Sequence, residues 1–298
     1  MTTSNQMVQQ KMPFSVAVNT PSMQKLIANA LHDPARCARF TASIVSAVSV
    51  NQALQNCDRN TVISGALLGE SLNLSPSPQL GQYYLVPFNN KKKGMQDAQF
   101  VLGYKGYVQL ALRSGQYKSI NVEIVKQGEY KGRDPMTGDP RFQFLEDDDE
   151  WERLPVIGYM ASFEYLNGFR KVLYWSKEKM MNHADRYSAA FSRKAYENLI
   201  AGNIPQGEMW KYSSFWYKDF DSMAKKTMLR QLISKWGIMS TDMQSAYESD
   251  SRVIEETESG QLVPQVEEEP PQQIEEPQAA AQIPAQPAEL KQIDLSSL

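Results

Sequence analysis

The sequence predicts an α+β fold: antiparallel β-hairpins and sheet flanked by N-terminal and C-terminal helices, followed by a disordered acidic tail. Three observations predict it. Apolar residues recur at helical spacing through about the first 75 positions and again from about 176 to 245. Between those blocks the spacing changes to alternation, punctuated by Gly and Asn-Gly turns. From Glu248 to Leu298 aromatic residues are absent, and VPQVEEEPPQQIEEPQ and AAAQIPAQPAE have a composition whose burial cannot offset chain entropy.

In chain order, residues 1–20 are expected to be a flexible arm. Pro21 and the run MQKLIANAL predict a helix ending near His32 to Pro34. Two more helices are predicted over roughly 35–56 and 59–73, the second capped by Asp58 and ending before SPSPQLG. YYLVPF (83–88) and AQFVLGY (98–104) read as strands joined by the polar turn NNKKKGMQ. GYVQLALRSG (106–115) reads as a helix stopped by Gly115, and YKSINVEIV (117–125) as a strand with Ile120, Val122 and Ile124 on one face. FQFL and LPVIGYMASFEYL run through Asn167-Gly168, expected to form a type I′ turn, into FRKVLYW. Helices resume to about 245 with a break near GNIPQGE. The expected body is therefore 21–247 and the tail 248–298, with no internal repeat.

Hydrophobic residues make up 42% of the chain, yet no apolar run approaches the ~20 residues of a membrane span. MTTSNQMVQQKMPF also lacks a signal-peptide layout, so a soluble, cytoplasmic protein without membrane partners is expected. Cys37 and Cys57 are too few for a disulfide framework and read as reduced, buried thiols. The net charge of -3 conceals a division. The segment 248–298 holds 12 acidic residues against Arg252 and Lys291, leaving 22 acidic and 29 basic residues in 1–247. Such a tail is either a solubilising appendage, a tether for partners, or an acidic competitor for the basic body.

Several chemistries lack their residues. No G-x-x-x-x-G-K-[ST] loop is present to cradle phosphates, and GALLGESL reads as helix packing. His32 and His183, the only histidines, neighbour no cysteine at metal-ligand spacing. The run EDDDEWE (146–152) offers carboxylates for magnesium, but consecutive carboxylates diverge and read as a solvated loop. Glu129-Tyr130-Lys131 fits half of a nuclease pattern without its upstream acid. No cofactor, metal or catalytic residue is expected.

Aromatic and basic residues in alternation do stand out. Between Tyr187 and Trp236 lie Tyr187, Phe191, Tyr196, Trp210, Tyr212, Phe215, Trp216, Tyr217, Phe220 and Trp236, interleaved with Arg193, Lys194, Lys211 and Lys218. A protein that grips single strands needs both kinds, cations for phosphates and rings for bases. YKGYVQLALRSGQYK adds Tyr104, Lys105, Tyr107, Arg113 and Lys118, and the hairpin tip adds Lys91, Lys92 and Lys93. In DFDSMAKKTMLRQLISKWG (219–237), Met228, Leu229, Leu232, Ile233 and Trp236 form a buried arc with Lys225 pointing into its middle. Lys226 and Arg230, four apart, share its flank. These cations either snorkel from a core helix or face a buried polyanion.

LGYKGYVQLALRSG, SPSPQLGQYYLVPF and WYKDFDSMAKKTMLRQLISKWG resemble the RecT family of phage and prophage single-strand annealing proteins, in order from about residue 25 to 245. The resemblance implies an ATP-independent protein that coats single-stranded DNA, oligomerises into rings or helical filaments, and pairs complementary strands into duplex during phage recombination. It implies a phage 5′ to 3′ exonuclease and the host single-strand DNA-binding protein as partners. On that reading 21–247 is the DNA-binding, annealing and oligomerisation domain. Lys225, Lys226 and Arg230 are then expected to face a DNA groove, with Tyr104, Lys105, Arg113 and Lys118 as a second contribution. Phe215, Trp216 and Tyr212 are candidate stacking rings, and Lys211, Lys218, Arg193 and Lys194 further phosphate contacts. A passive single-strand coating protein, and a metal-dependent nuclease using the acidic run, are the competing readings.

Overall fold

The computed structural model describes residues 12–90, 92–257 and 261–265; the first eleven residues, Lys91, residues 258–260 and the chain from 266 onward lie outside them. An α-helical layer comes first: α1 (Phe14–Ala17), α2 (Pro21–Leu31), α3 (Pro34–Val50), a 3-10 turn over Gln52–Asn56, and α4 (Arg59–Ser71). Pro21 and Pro34 occupy first-turn positions where a missing N–H costs nothing, and His32 between them takes a left-handed φ of 54° that ends α2. Asp33 and Asp58 cap α3 and α4 through Ala35 N and Asn60 N. α4 is buried almost throughout, because it packs between the other helices and a sheet.

That sheet has the order β1 (Tyr83–Asn90), β2 (Met95–Leu102), β8 (Arg252–Glu256), β9 (Leu262–Pro264), antiparallel throughout. A second antiparallel sheet is β3 (Tyr117–Lys126), β6 (Val156–Tyr165), β7 (Arg170–Ser176). β4 (Tyr130–Arg133) and β5 (Pro140–Phe142) pair as a small arm beside β7. α5 (Tyr104–Arg113) bridges the two sheets. α6 (Asp148–Arg153), α7 (Lys177–Tyr187), α8 (Arg193–Ile200), a 3-10 turn over Gln206–Tyr212, α9 (Phe215–Lys218), α10 (Phe220–Trp236) and α11 (Thr241–Ser249) complete the order. The α+β class is as the sequence predicts.

Several expectations are corrected. Residues 12–20 are not a loose arm: Phe14, Ala17 and Val18 form an apolar stripe that packs into the core, and Arg59 donates to Met12 O. The body does not stop at 247, since Asp250, Val253 and Ile254 are buried and β8 pairs with β2; the compact unit runs to Val266. At Asn167-Gly168 only the glycine of the pair takes a positive φ, 86°, which rules out a type I′ turn. The hairpin closes instead through Tyr165 N to Phe169 O at 2.8 Å, with Asn167 Oδ1 accepting from Phe169 N. The acidic run is not a plain loop: Asp147 caps α6 through Glu150 N.

Cys57 is a buried free thiol, pushed up to about 12 by burial and then by Asp97 and Asp58, so it is not a ready nucleophile. Cys37 is free and half-buried. Among the described residues no helix is long and apolar enough to cross a membrane.

Candidate nucleic-acid interface

The two sequence blocks singled out for their cations meet at α5 and α10. In LGYKGY the glycines are a packing requirement. A Cβ at Gly103 would lie 2.1 Å from Gly81 O, and one at Gly106 2.2 Å from Gln82 O. Only glycine lets the start of α5 close on the 81–82 backbone, and this brings Tyr104 and Lys105 beside β1. α10 begins at Asp219, whose Oδ1 accepts from Ser222 N, and α9 immediately before it places Phe215 over β1.

The result is one aromatic and basic face. Tyr84 and Phe215 have ring centroids 5.1 Å apart. Lys225 Nζ lies 5.7 Å from the centre of the Tyr104 ring and 3.8 Å from Glu123 Oε2. Lys105 is exposed, with its alkyl chain beside Gly81 and the Tyr84 hydroxyl. Burial, followed by Asp219 and the neighbouring Tyr104, raises the Tyr84 pKa; burial, then Glu123 and Asp219, does the same for Tyr104. Both rings therefore stay neutral and available for stacking at physiological pH. Lys218, at the end of α9, is exposed.

Lys226 and Arg230 go elsewhere. Lys226 is only 6% exposed, and its Nζ donates to Asp250 Oδ1 at 2.7 Å, while Arg230 Nη1 donates to Asp250 Oδ2 at 2.7 Å. Leu102 N donates to Oδ1 as well, at 3.0 Å, and the Tyr107 hydroxyl to Oδ2 at 3.3 Å. The Arg230 guanidinium lies 4.2 Å from the Tyr247 ring centre. Burial alone would raise the Asp250 pKa. The charges of Lys226 and Arg230, aided by the donors on its oxygens, outweigh that and hold the carboxyl below its ordinary value. The expectation that Lys226 and Arg230 face a DNA groove is thus corrected: the anion they meet is a single internal carboxylate, contributed from beyond the expected end of the body. Lys225, expected in the middle of the apolar arc, is the half-exposed one, and Trp236 lies 37% exposed with Lys171 Nζ 5.5 Å from a ring centre.

Other candidates are scattered. Trp216 is a core ring at 7% exposure, 5.6 Å from Phe191 and 5.3 Å from Phe220, so it offers no stacking platform. Tyr212 is half-buried, edge-on to Tyr217. Arg113 donates to Leu72 O and Asn73 O, satisfying carbonyls at the end of α4. Lys118 pairs with Glu164 at 2.6 Å, Arg193 with Glu197 at 2.8 Å and Lys211 with Glu208 at 3.1 Å. Lys194 is exposed on α8. At the β1–β2 tip Lys93 pairs with Glu255 at 3.0 Å, and Lys92 is exposed. The sequence reading missed Tyr84 and Asp250. Alternation in YYLVPF already put Tyr84 on the face opposite the buried Tyr83 and Leu85, and the apolar pair Val253-Ile254 hinted at a strand after Asp250.

Of the residues in the nuclease reading, Asp148 and Asp149 are exposed, Asp147 caps α6, and Glu129 is engaged in structure. Glu129 is fully buried, accepting from Lys126 N at 2.6 Å and from Trp151 Nε1 at 3.0 Å. Among the described residues no group of three or more His, Cys, Asp or Glu is placed to hold a metal ion.

A model of the RecT family matches residues 38–266. The chain belongs to the RecT family. The match includes β8 and β9, in accord with a body that extends past 247. A protein of Bacillus subtilis strain 168 named uncharacterized protein YqaK is 39% identical over 228 residues, 76% of this chain and 67% of that one. Protein RecT of Escherichia coli strain K12 is 35% identical over 114 residues, 38% of this chain and 42% of its own. Membership of the RecT family supports a DNA-binding, single-strand annealing protein of recombination.

Proposed function

We propose that this protein coats single-stranded DNA through the face made by Tyr84, Tyr104, Phe215, Lys105 and Lys225, and pairs complementary strands without nucleotide or metal. What carries this reading is the meeting of three accessible rings with two cations on one face of a RecT-family chain. Stacking on the rings and phosphate contacts from Lys105, Lys225 and Lys218 would hold a strand extended. Base edges then remain free to test a second strand, and matched duplex accumulates stacking energy while mismatched duplex leaves. Lys226 and Arg230 act from inside, by fixing α10. Arg113, Lys118, Arg193, Lys194, Lys211 and Tyr212 lie outside this face and serve along the path of a longer strand.

The working unit is a homo-oligomer, a ring or helical filament in the bacterial cytoplasm, acting beside a phage 5′ to 3′ exonuclease and the host single-strand DNA-binding protein. The test adds two complementary labelled oligonucleotides one after the other to the purified protein without nucleotide and follows annealing by fluorescence. Fast pairing inside large assemblies supports annealing. Tight binding that keeps the strands apart would make the protein a passive coat, and metal-dependent cleavage would revive the nuclease reading.

A further inference from the structure

Two surfaces outside the proposed DNA face are complementary to each other. The first is the arm formed by β4, β5 and α6. Glu146, Asp147, Asp148, Asp149, Glu150 and Glu152 are all exposed on it, and Phe144 beside them is 51% exposed. The arm is held firmly. Tyr130 stacks on Tyr174 with centroids 4.3 Å apart, Lys171 pairs with Asp139 at 3.3 Å, and Lys126 Nζ lies 4.7 Å from the centre of a Trp151 ring that Glu129 already anchors. An acidic patch with an aromatic tip is thereby preorganised, which lowers the entropic cost of docking. With these six set aside, residues 1–266 hold 21 acidic against 30 basic residues, so the rest of the body is net basic.

The second surface is a cavity of about 840 Å³ among α1, α2 and α3, lined by Ala28, Cys37, Ala38, Thr41, Ala42 and Val45. On helical spacing Lys25 of α2 and Arg39 of α3 flank the groove, and both are exposed. Asp33, at one end, is committed to capping α3 through Ala35 N.

We infer that the acidic arm of one subunit docks into the α2–α3 groove of a second copy of this chain. Phe144 enters the apolar floor, and the 146–152 carboxylates meet Lys25 and Arg39. The inference rests on the assembly proposed above and gives it a contact. Since the two surfaces differ, the contact is heterologous: each pair leaves one arm and one groove unused, so subunits propagate into a ring or a helix. Neither surface uses Tyr84, Tyr104 or Phe215, so the DNA face stays open along the assembly.

The experiment uses two full-length variants, an arm variant (Phe144→Ser, Asp148→Ser, Asp149→Ser) and a groove variant (Lys25→Glu, Arg39→Glu, Ala42→Glu). Assembly is read by light scattering with and without single-stranded DNA, and folding by circular dichroism. Each variant alone should remain monomeric, and an equimolar mixture should stop at dimers, because one intact arm and one intact groove remain. Should either variant fail to fold, the milder pairs Asp148→Asn with Asp149→Asn and Lys25→Gln with Arg39→Gln replace them, each expected to raise the protein concentration needed for assembly at least about tenfold. Wild-type assembly by the arm variant, or by the groove variant (as when residues 1–11 fill the groove in cis), overturns the inference. So do two monomeric variants that fail to dimerise when mixed, and a wild-type chain that never self-associates. Annealing is scored separately on wild type, so its failure strikes the proposed function while leaving the dimer test intact.

Discussion

On α10, Lys225 lies half-exposed with its ammonium 5.7 Å from the Tyr104 ring, whereas Lys226, one residue on, is buried with its ammonium 2.7 Å from Asp250. The first belongs to a face that a polyanion can reach, and the second to an interior cluster already neutralised. A single step of 100° along a helix separates the two environments. A run of cations is therefore not one functional unit: each charge must be assigned to the partner its side chain meets. Buried charges are retained only when paired and hydrogen-bonded, and Asp250 meets that condition with five donors on its two oxygens.

The sharpest way to break this contrast is to remove the interior anion. Asp250→Ala should destabilise the fold by about 3–5 kcal/mol, because the buried Lys226 and the half-buried Arg230 lose their counter-charge. Urea unfolding measures this, and an unchanged midpoint would show that the cluster is not structural. Truncation before Asp250 should likewise unfold the body, and ending the chain at Val266 should leave its midpoint in place. At the surface, Tyr84→Ala or Phe215→Ala should weaken binding to a short single strand by about 1–3 kcal/mol, with the urea midpoint retained. Anisotropy titration reads that loss.

Salt dependence sharpens the comparison further. Lys105→Gln and Lys225→Gln should each reduce the slope of log affinity against log salt by about 0.7, and Lys226→Met should lower stability and leave the slope alone. Because the folded Asp250 pKa lies below its unfolded value of about 3.9, its contribution is complete above that range and is lost as pH falls through the folded value. Asp250→Asn should flatten this acid limb of the stability profile. The smallest effect is expected at Lys118, whose pair with Glu164 is 61% and 33% exposed: Lys118→Gln should cost under about 1 kcal/mol.

Much of the secondary structure was legible in the sequence, because it depends on local spacing. Pro21, Asp58, Gly115 and the alternation in β1, β3 and β6 placed their elements within a few residues. What was not legible depends on distant contacts. Asp250 reaches Leu102 across 148 positions and Tyr107 across 143, and composition counted it with the tail because Glu, Gln and Pro dominate the residues after it. Trp216 looked like a platform beside Phe215, yet one of these adjacent rings packs on Phe191 and Phe220 and the other lies over Tyr84. Sequence spacing brought both basic blocks into view without revealing that Tyr104 and Lys225 meet. That meeting depends on Gly103 and Gly106 allowing α5 to close on the 81–82 backbone.

The Asp250 cluster also has a consequence in time. α10 ends at Trp236, 14 residues before Asp250, so at translation rates of about 5–20 residues per second the helix is complete for roughly one to three seconds before its anion has been made. During that interval the nascent chain carries two uncompensated cations on an apolar helix, beside a ribosome rich in phosphate. The arrival of Asp250 withdraws both from competition for RNA and closes β8 onto β2, making the end of the body's synthesis the step that hides its non-specific charge.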